Sequence, residues 1–178
     1  EVFWFYASAD SEEIDKYVKF NHVEGTWDIG TLARTAWVDL GVHENPRGAG
    51  AASSVEYIYS HESGQNDDGS AMDCFIESAD FDLGDGEQFM FVDKLIPDVR
   101  LNDTSSDSTG SIDYVIKTRN FPLESLTTNS TSTVISSTQQ AFMRARGRQA
   151  VVRIQSDSAN LNWTLGDLRL NLRPDGRR

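Results

Sequence analysis

Four carboxylates, Asp80, Asp82, Asp85 and Glu87, crowd one short stretch of this 178-residue chain and are the first candidates for acid–base or cation chemistry. A glycosidase needs its two carboxyl groups roughly 5–10 Å apart across a bound sugar, a separation that sequence spacing does not set. A helix-loop-helix calcium loop needs oxygen ligands at alternate positions, but Phe81 and Leu83 fill the gaps and Gly84 breaks the register. The stretch reads instead as a strand ending in an Asp85-Gly86 turn. Glu62, Asp67 and Asp68 form a second acidic loop with nothing that marks a cation site. His22, His43 and His61 are spaced too irregularly for a zinc motif, and His61 reads as a hydrogen-bonding residue of a turn. Cys74 is the single cysteine, so no internal disulfide forms, and its apolar surroundings mark a small core residue. No serine sits in a Gly-x-Ser-x-Gly elbow to anchor a hydrolase triad. Gly48-Ala49-Gly50-Ala51-Ala52-Ser53 mimics part of a dinucleotide fingerprint, yet it precedes a strand rather than a helix and reads as a flexible loop. No catalytic residue, metal ligand or cofactor is expected.

Arginines are the other chemical feature. Arg144 and Arg146 sit two apart and share one face of a strand, and Gly147 lets the chain bend before Arg148. The guanidinium fork suits carboxylates and phosphates alike. Contact with an acidic neighbouring subunit, a solvated sheet face and contact with DNA all remain open for Arg144, Arg146 and Arg148.

The elements that must position these groups read as strands. Ile112, Tyr114 and Ile116 alternate with Asp113 and Lys117, and Leu168, Leu170 and Leu172 alternate with polar neighbours. Val55, Tyr57 and Tyr59 do the same. Val2–Tyr6, Tyr17–Asn21, Cys74–Ile76, Phe89–Val92 and Ala150–Ile154 read as further short strands, separated by Ser-Gly, Asp-Gly and Thr-Gly turn signals. No window keeps a 3.6-residue period, so the chain is expected to be nearly all β. No apolar run reaches the roughly 18–20 residues of a membrane helix.

Charge is unevenly spread. The chain carries 28 acids and 16 bases, net −12; residues 1–103 hold 22 acids and 6 bases, residues 104–178 hold 6 and 10. The sign changes in the polar stretch Asn102-Asp103-Thr104-Ser105-Ser106-Asp107-Ser108-Thr109-Gly110, which has the chemistry of a domain boundary. Two domains are therefore expected, 1–103 and 104–178. The Ser/Thr-rich residues 104–138 have apolar β residues at both ends and read as an exposed hairpin. At the start, an apolar strand, a polar turn, a second strand and Gly25-Thr26-Trp27 follow in the order of antiparallel strands in a propeller blade. One blade cannot bury both faces, so the chain is expected to be the C-terminal part of a longer one.

Several short motifs then fall into an order. They are Arg34-Thr35-Ala36-Trp37, Tyr59-Ser60-His61-Glu62-Ser63-Gly64, the segment Asp85–Asp93, Ile96-Pro97-Asp98, Arg144–Gln149 and Arg173-Pro174-Asp175-Gly176-Arg177-Arg178. In that order, from about Trp4 to Arg178, the chain resembles the C-terminal region of the tail nozzle, or tail tubular, proteins of short-tailed bacteriophages. The related tail-hub propellers resemble it to the same depth. The resemblance implies the last part of a β-propeller followed by a small antiparallel β-sandwich-like domain. It further implies a structural, non-enzymatic virion protein in a homo-oligomeric ring. That ring lies below the portal–adaptor complex, contacts tail fibre proteins and carries double-stranded DNA through its channel during ejection. An acidic wall would let phosphate pass without sticking. The competing reading is a carbohydrate- or receptor-binding β-sandwich that uses Trp27, Trp37 or Trp163 as its platform.

Overall fold

The first six strands are β1 (Val2–Tyr6), β2 (Lys16–Asn21), β3 (Thr26–Thr31), β4 (Ala36–Val38), β5 (Arg47–Ala52) and β6 (Val55–Ser60). They are followed by β7 (Cys74–Glu77), β8 (Phe81–Asp82), β9 (Met90–Ile96), β10 (Val99–Asp103) and β11 (Ile112–Arg119). The last are β12 (Thr127–Val134), β13 (Ala141–Gly147), β14 (Gln149–Ser156), β15 (Leu161–Leu165) and β16 (Arg169–Pro174). This is a computed structural model that describes residues 1–52, 55–103 and 110–177; among them every regular element is a strand and every pairing antiparallel. The protein is all-β, built from several small sheets.

The chain divides into two compact units, Glu1–Ser63 and Gly64–Arg178. In the first, β1-β2-β3 and β4-β5-β6 are two three-stranded meanders. The first begins as a strand because Val-Phe-Trp-Phe-Tyr is an unbroken run of β-branched and aromatic residues. Ser8 closes the connection to β2 by donating its backbone NH and its hydroxyl to the Asp15 carboxylate, 2.7 and 2.6 Å. Those bonds to Ser8 hold the Asp15 carboxyl below the usual carboxylate range. The two meanders meet through rings: Trp37 lies 6.4 Å from Phe3, 5.6 Å from Phe5 and 4.6 Å from the His61 imidazole.

The segment 48–53, expected to be a loop, is a strand as far as Ala52, and residue 53 lies outside the described residues. Its alternating glycine and alanine hide the period that larger side chains would reveal. The backbone nevertheless pairs on both edges, Gly48 with Trp37 and Tyr59.

The second unit has one sheet ordered β12-β11-β14-β7, with β8 also on β14, a second ordered β13-β9-β16, and the pair β10-β15. Alternation sends Ile112, Tyr114 and Ile116 of β11 and Val152 and Ile154 of β14 into one cluster with Met90, Val92 and Leu95 of β9 and Met143 and Ala145 of β13. Leu170 and Leu172 of β16 pack against that cluster, as their alternation predicts, whereas Leu168, read with them, precedes the strand and is exposed. The Ser/Thr-rich β12 is the outer strand of a hairpin with β11, and its largely exposed hydroxyls solvate an edge that would otherwise invite further pairing.

The boundary expected at 103–110 falls inside this unit. Strands before it pair with strands after it: β7 and β8 with β14, β9 with β13 and β16, β10 with β15. Residues 104–109 themselves lie outside the described residues. Surface charge did not report the division because backbone pairing sets it. The acid-rich first half instead pairs with the base-rich second half, through Glu77 with Lys117 and Arg153, Asp80 with Arg119, Asp98 with Arg169 and Glu87 with Arg177.

Candidate functional site

The acids that crowd residues 80–87 do not converge. Asp80 pairs with Arg119, Glu87 lies 3.6 Å from Arg177, and the chain turns through Gly84 and Gly86 with φ of 69° and 74°. Among the described residues no three His, Cys, Asp or Glu side chains come together as metal ligands. Cys74 is half-buried, and its sulfur accepts a hydrogen bond from the Trp163 indole at 3.1 Å. Trp163 therefore packs against the core and is no open platform, and Trp37 is engaged by Phe3, Phe5 and His61. Of the three tryptophans considered, Trp27 alone is largely exposed, at 65%. It lies tilted against Phe20 and stacked on Trp4, with ring centroids 4.5 and 5.9 Å away.

Two motifs that are 27 residues apart meet in the first unit. The Arg34 Nε donates to the His61 Nε2 at 3.1 Å, and the guanidinium lies 4.0 Å above the Tyr59 ring. They meet because Gly48 and Gly50 leave that side of β5 bare: a Cβ at Gly48 would fall 2.9 Å from both Arg34 Cδ and His61 Nε2. The arginine is thereby flattened onto the sheet and pinned by stacking and a hydrogen bond, a bracing role rather than a reactive one. Sequence reasoning passed over this group, although the glycines at 48 and 50 in register with Trp37, Tyr57 and Tyr59 are its signal. Gly48→Val is expected to displace Arg34 and cost the first unit about 2 kcal/mol, read as a lower thermal midpoint with the second unit unaffected.

The predicted arginines occupy a sheet edge. β13 alternates strictly, with Ala141, Met143, Ala145 and Gly147 buried and Phe142, Arg144 and Arg146 exposed. Arg148 is the one residue between β13 and β14, where the chain leaves one sheet for the other. Arg146 donates to Asp175 at 2.5 Å and lies 3.9 Å above the Phe89 ring. Arg148 stands between Phe89 and Phe121, 5.1 and 5.6 Å from their centroids, and donates to the Arg177 carbonyl at 3.3 Å. Arg144 makes no side-chain hydrogen bond or ion pair among the described residues.

The chain matches no protein-family model, and no curated protein is similar to it.

Proposed function

We propose that this chain is a structural component of a phage tail, part of the nozzle or tube ring that continues the DNA ejection channel below the portal and adaptor. In this reading the two meanders of Glu1–Ser63 are propeller blade elements and the second unit is a β-sandwich-like domain attached to them. The ordered motifs described above support the assignment to that family.

One structural observation carries most weight. Cross-strand partners share a face of a sheet, so the ladder of β1-β2-β3 places Val2, Trp4, Val18, Phe20, Trp27 and Ile29 together, opposite the face that meets Trp37. Trp4, Trp27 and Ile29 are 49%, 65% and 66% exposed. A contiguous aromatic face of this kind marks a surface made to be covered, and a neighbouring blade covers such a face in a propeller.

Electron microscopy of native particles containing the chain tests the reading. The expected image is a ring of identical subunits around a channel wide enough for a duplex. A free monomer of these 178 residues alone would overturn it. The clustered Trp4, Phe20 and Trp27 rings favour a second reading, a sugar-binding platform, and a monomer that binds a glycan array through Trp27 would establish that one.

A further inference from the structure

The outward face of the β13-β9-β16 sheet gathers Arg144, Arg146, Lys94 and Arg173 in a chain of net charge −12. Its register builds two cross-strand rows, Arg146-Phe91-Arg173 and Phe142-Lys94-Asn171. Partnered residues in such rows point the same way. Arg144 lies between the rows on β13, where the register with β9 shifts. Arg144, Lys94 and Arg173 form no ion pair among the described residues. Phe142 stands 73% exposed beside them. Arg173 is held 4.7 Å above the Phe91 ring, so its guanidinium is oriented before any partner arrives.

The first unit carries the opposite charge. Residues 1–63 hold 11 acids and 4 bases, net −7. The turn between β1 and β2 presents Asp10, Glu12 and Glu13, all exposed and without a side-chain partner among the described residues. We propose that the Arg144, Lys94 and Arg173 face docks onto the Asp10–Glu13 turn of a second copy of this chain. The two surfaces differ, so the contact is head-to-tail, the kind that closes a ring when the rotation per subunit allows. The inference deepens the ring reading and rests on it for closure, while the contact itself rests on charge and register.

A nucleic-acid strand fits this face less well. Single strands bind on successive bare rings in a positive groove, whereas Arg146 and Arg173 cover Phe89 and Phe91 here. Asp175 and the bulged Asp93 also break the run of positive charge, and the net charge of −12 repels phosphate.

The test is sedimentation of the purified full chain at about 20 mM and about 500 mM salt, where screening removes exposed charge pairs. The wild type should self-associate with concentration at low salt and dissociate at high salt. Arg144→Glu/Arg173→Glu and, separately, Glu12→Lys/Glu13→Lys should each weaken association at least about tenfold, and the combined four-fold variant should recover it. All substituted positions are exposed, so unchanged circular dichroism and thermal midpoint confirm that the fold is kept. A wild type that stays monomeric, or association that ignores Arg144→Glu/Arg173→Glu, overturns the proposal. So does a monomer that instead binds an oligonucleotide through Arg144. A native ring that survives the charge reversal overturns this contact and leaves the ring reading standing; a salt-sensitive dimer with no native ring does the reverse.

Discussion

Gly147→Ala should cost the second unit about 3 kcal/mol, and Gly147→Val more, in a protein whose domains are stable by only about 5–15 kcal/mol. At this point β13 lies close against β11. A Cβ on residue 147 would lie 2.5 Å from the Thr118 Cβ and 2.8 Å from its hydroxyl oxygen. Thr118 has no room to retreat. It is 4% exposed, and its hydroxyl is within 2.7 Å of the Asn129 Oδ1 and 3.1 Å of the Arg146 carbonyl. The clash therefore falls on a branched side chain at its root and is resolved by pushing two sheets apart. Urea denaturation of the second unit's transition gives the measurement. A midpoint for the alanine variant equal to wild type would show that the sheets approach less closely at this position.

The second large effect concerns alkaline stability. Tyr114 is 1% exposed in the centre of the core, and its hydroxyl has no hydrogen-bond partner among the described residues. Burial, with a smaller contribution from the Asp98 charge, pushes the phenol up to about 12. The unfolded chain releases that proton near pH 10, while the folded chain keeps it. The folded state is thus the one that binds more protons between about pH 10 and 12, and stability falls across that window by about 1.4 kcal/mol per unit, nearly 3 in all. Below pH 10 the two states hold the proton equally and the effect vanishes. Tyr114→Phe should abolish this part of the slope and, by deleting an unpartnered buried hydroxyl, raise stability at neutral pH by about 1 kcal/mol. Comparing the two proteins from pH 8 to 11 isolates the phenol from the lysines and arginines common to both. A phenylalanine variant with the same alkaline slope, or one weaker by more than about 1 kcal/mol at pH 7, would show that the hydroxyl is satisfied.

Much of the architecture was legible in the sequence. The all-β character followed from period-2 alternation, which is strong in β11 and β16 because each has large apolar residues facing one way. Arg144 and Arg146 were legible as one exposed face for the same reason. β5 was not legible, since glycine and alanine carry no alternation, and its strand character comes from pairing on both edges. The division after Ser63 was also hidden. It depends on which distant strands pair, and the charge crossover that drew attention to 103–110 turned out to mark complementary partners inside one unit. The Arg34–His61 contact needed three dimensions, because neither motif points to the other along the chain.

The pairing of β9 also fixes an order of events during synthesis. This strand supplies Met90, Val92 and Leu95 to the core, yet its two neighbours are β13 and β16, which follow it by about fifty and about eighty residues. On the ribosome, β9 emerges long before either neighbour and must wait with both edges bare. Its exposed interval is therefore set by translation rate, and slowing synthesis across 97–170 should raise the aggregated fraction more than slowing it across the first unit, whose strands pair with their immediate successors. The second unit, which holds the core once complete, is therefore the part whose strands wait longest for their partners.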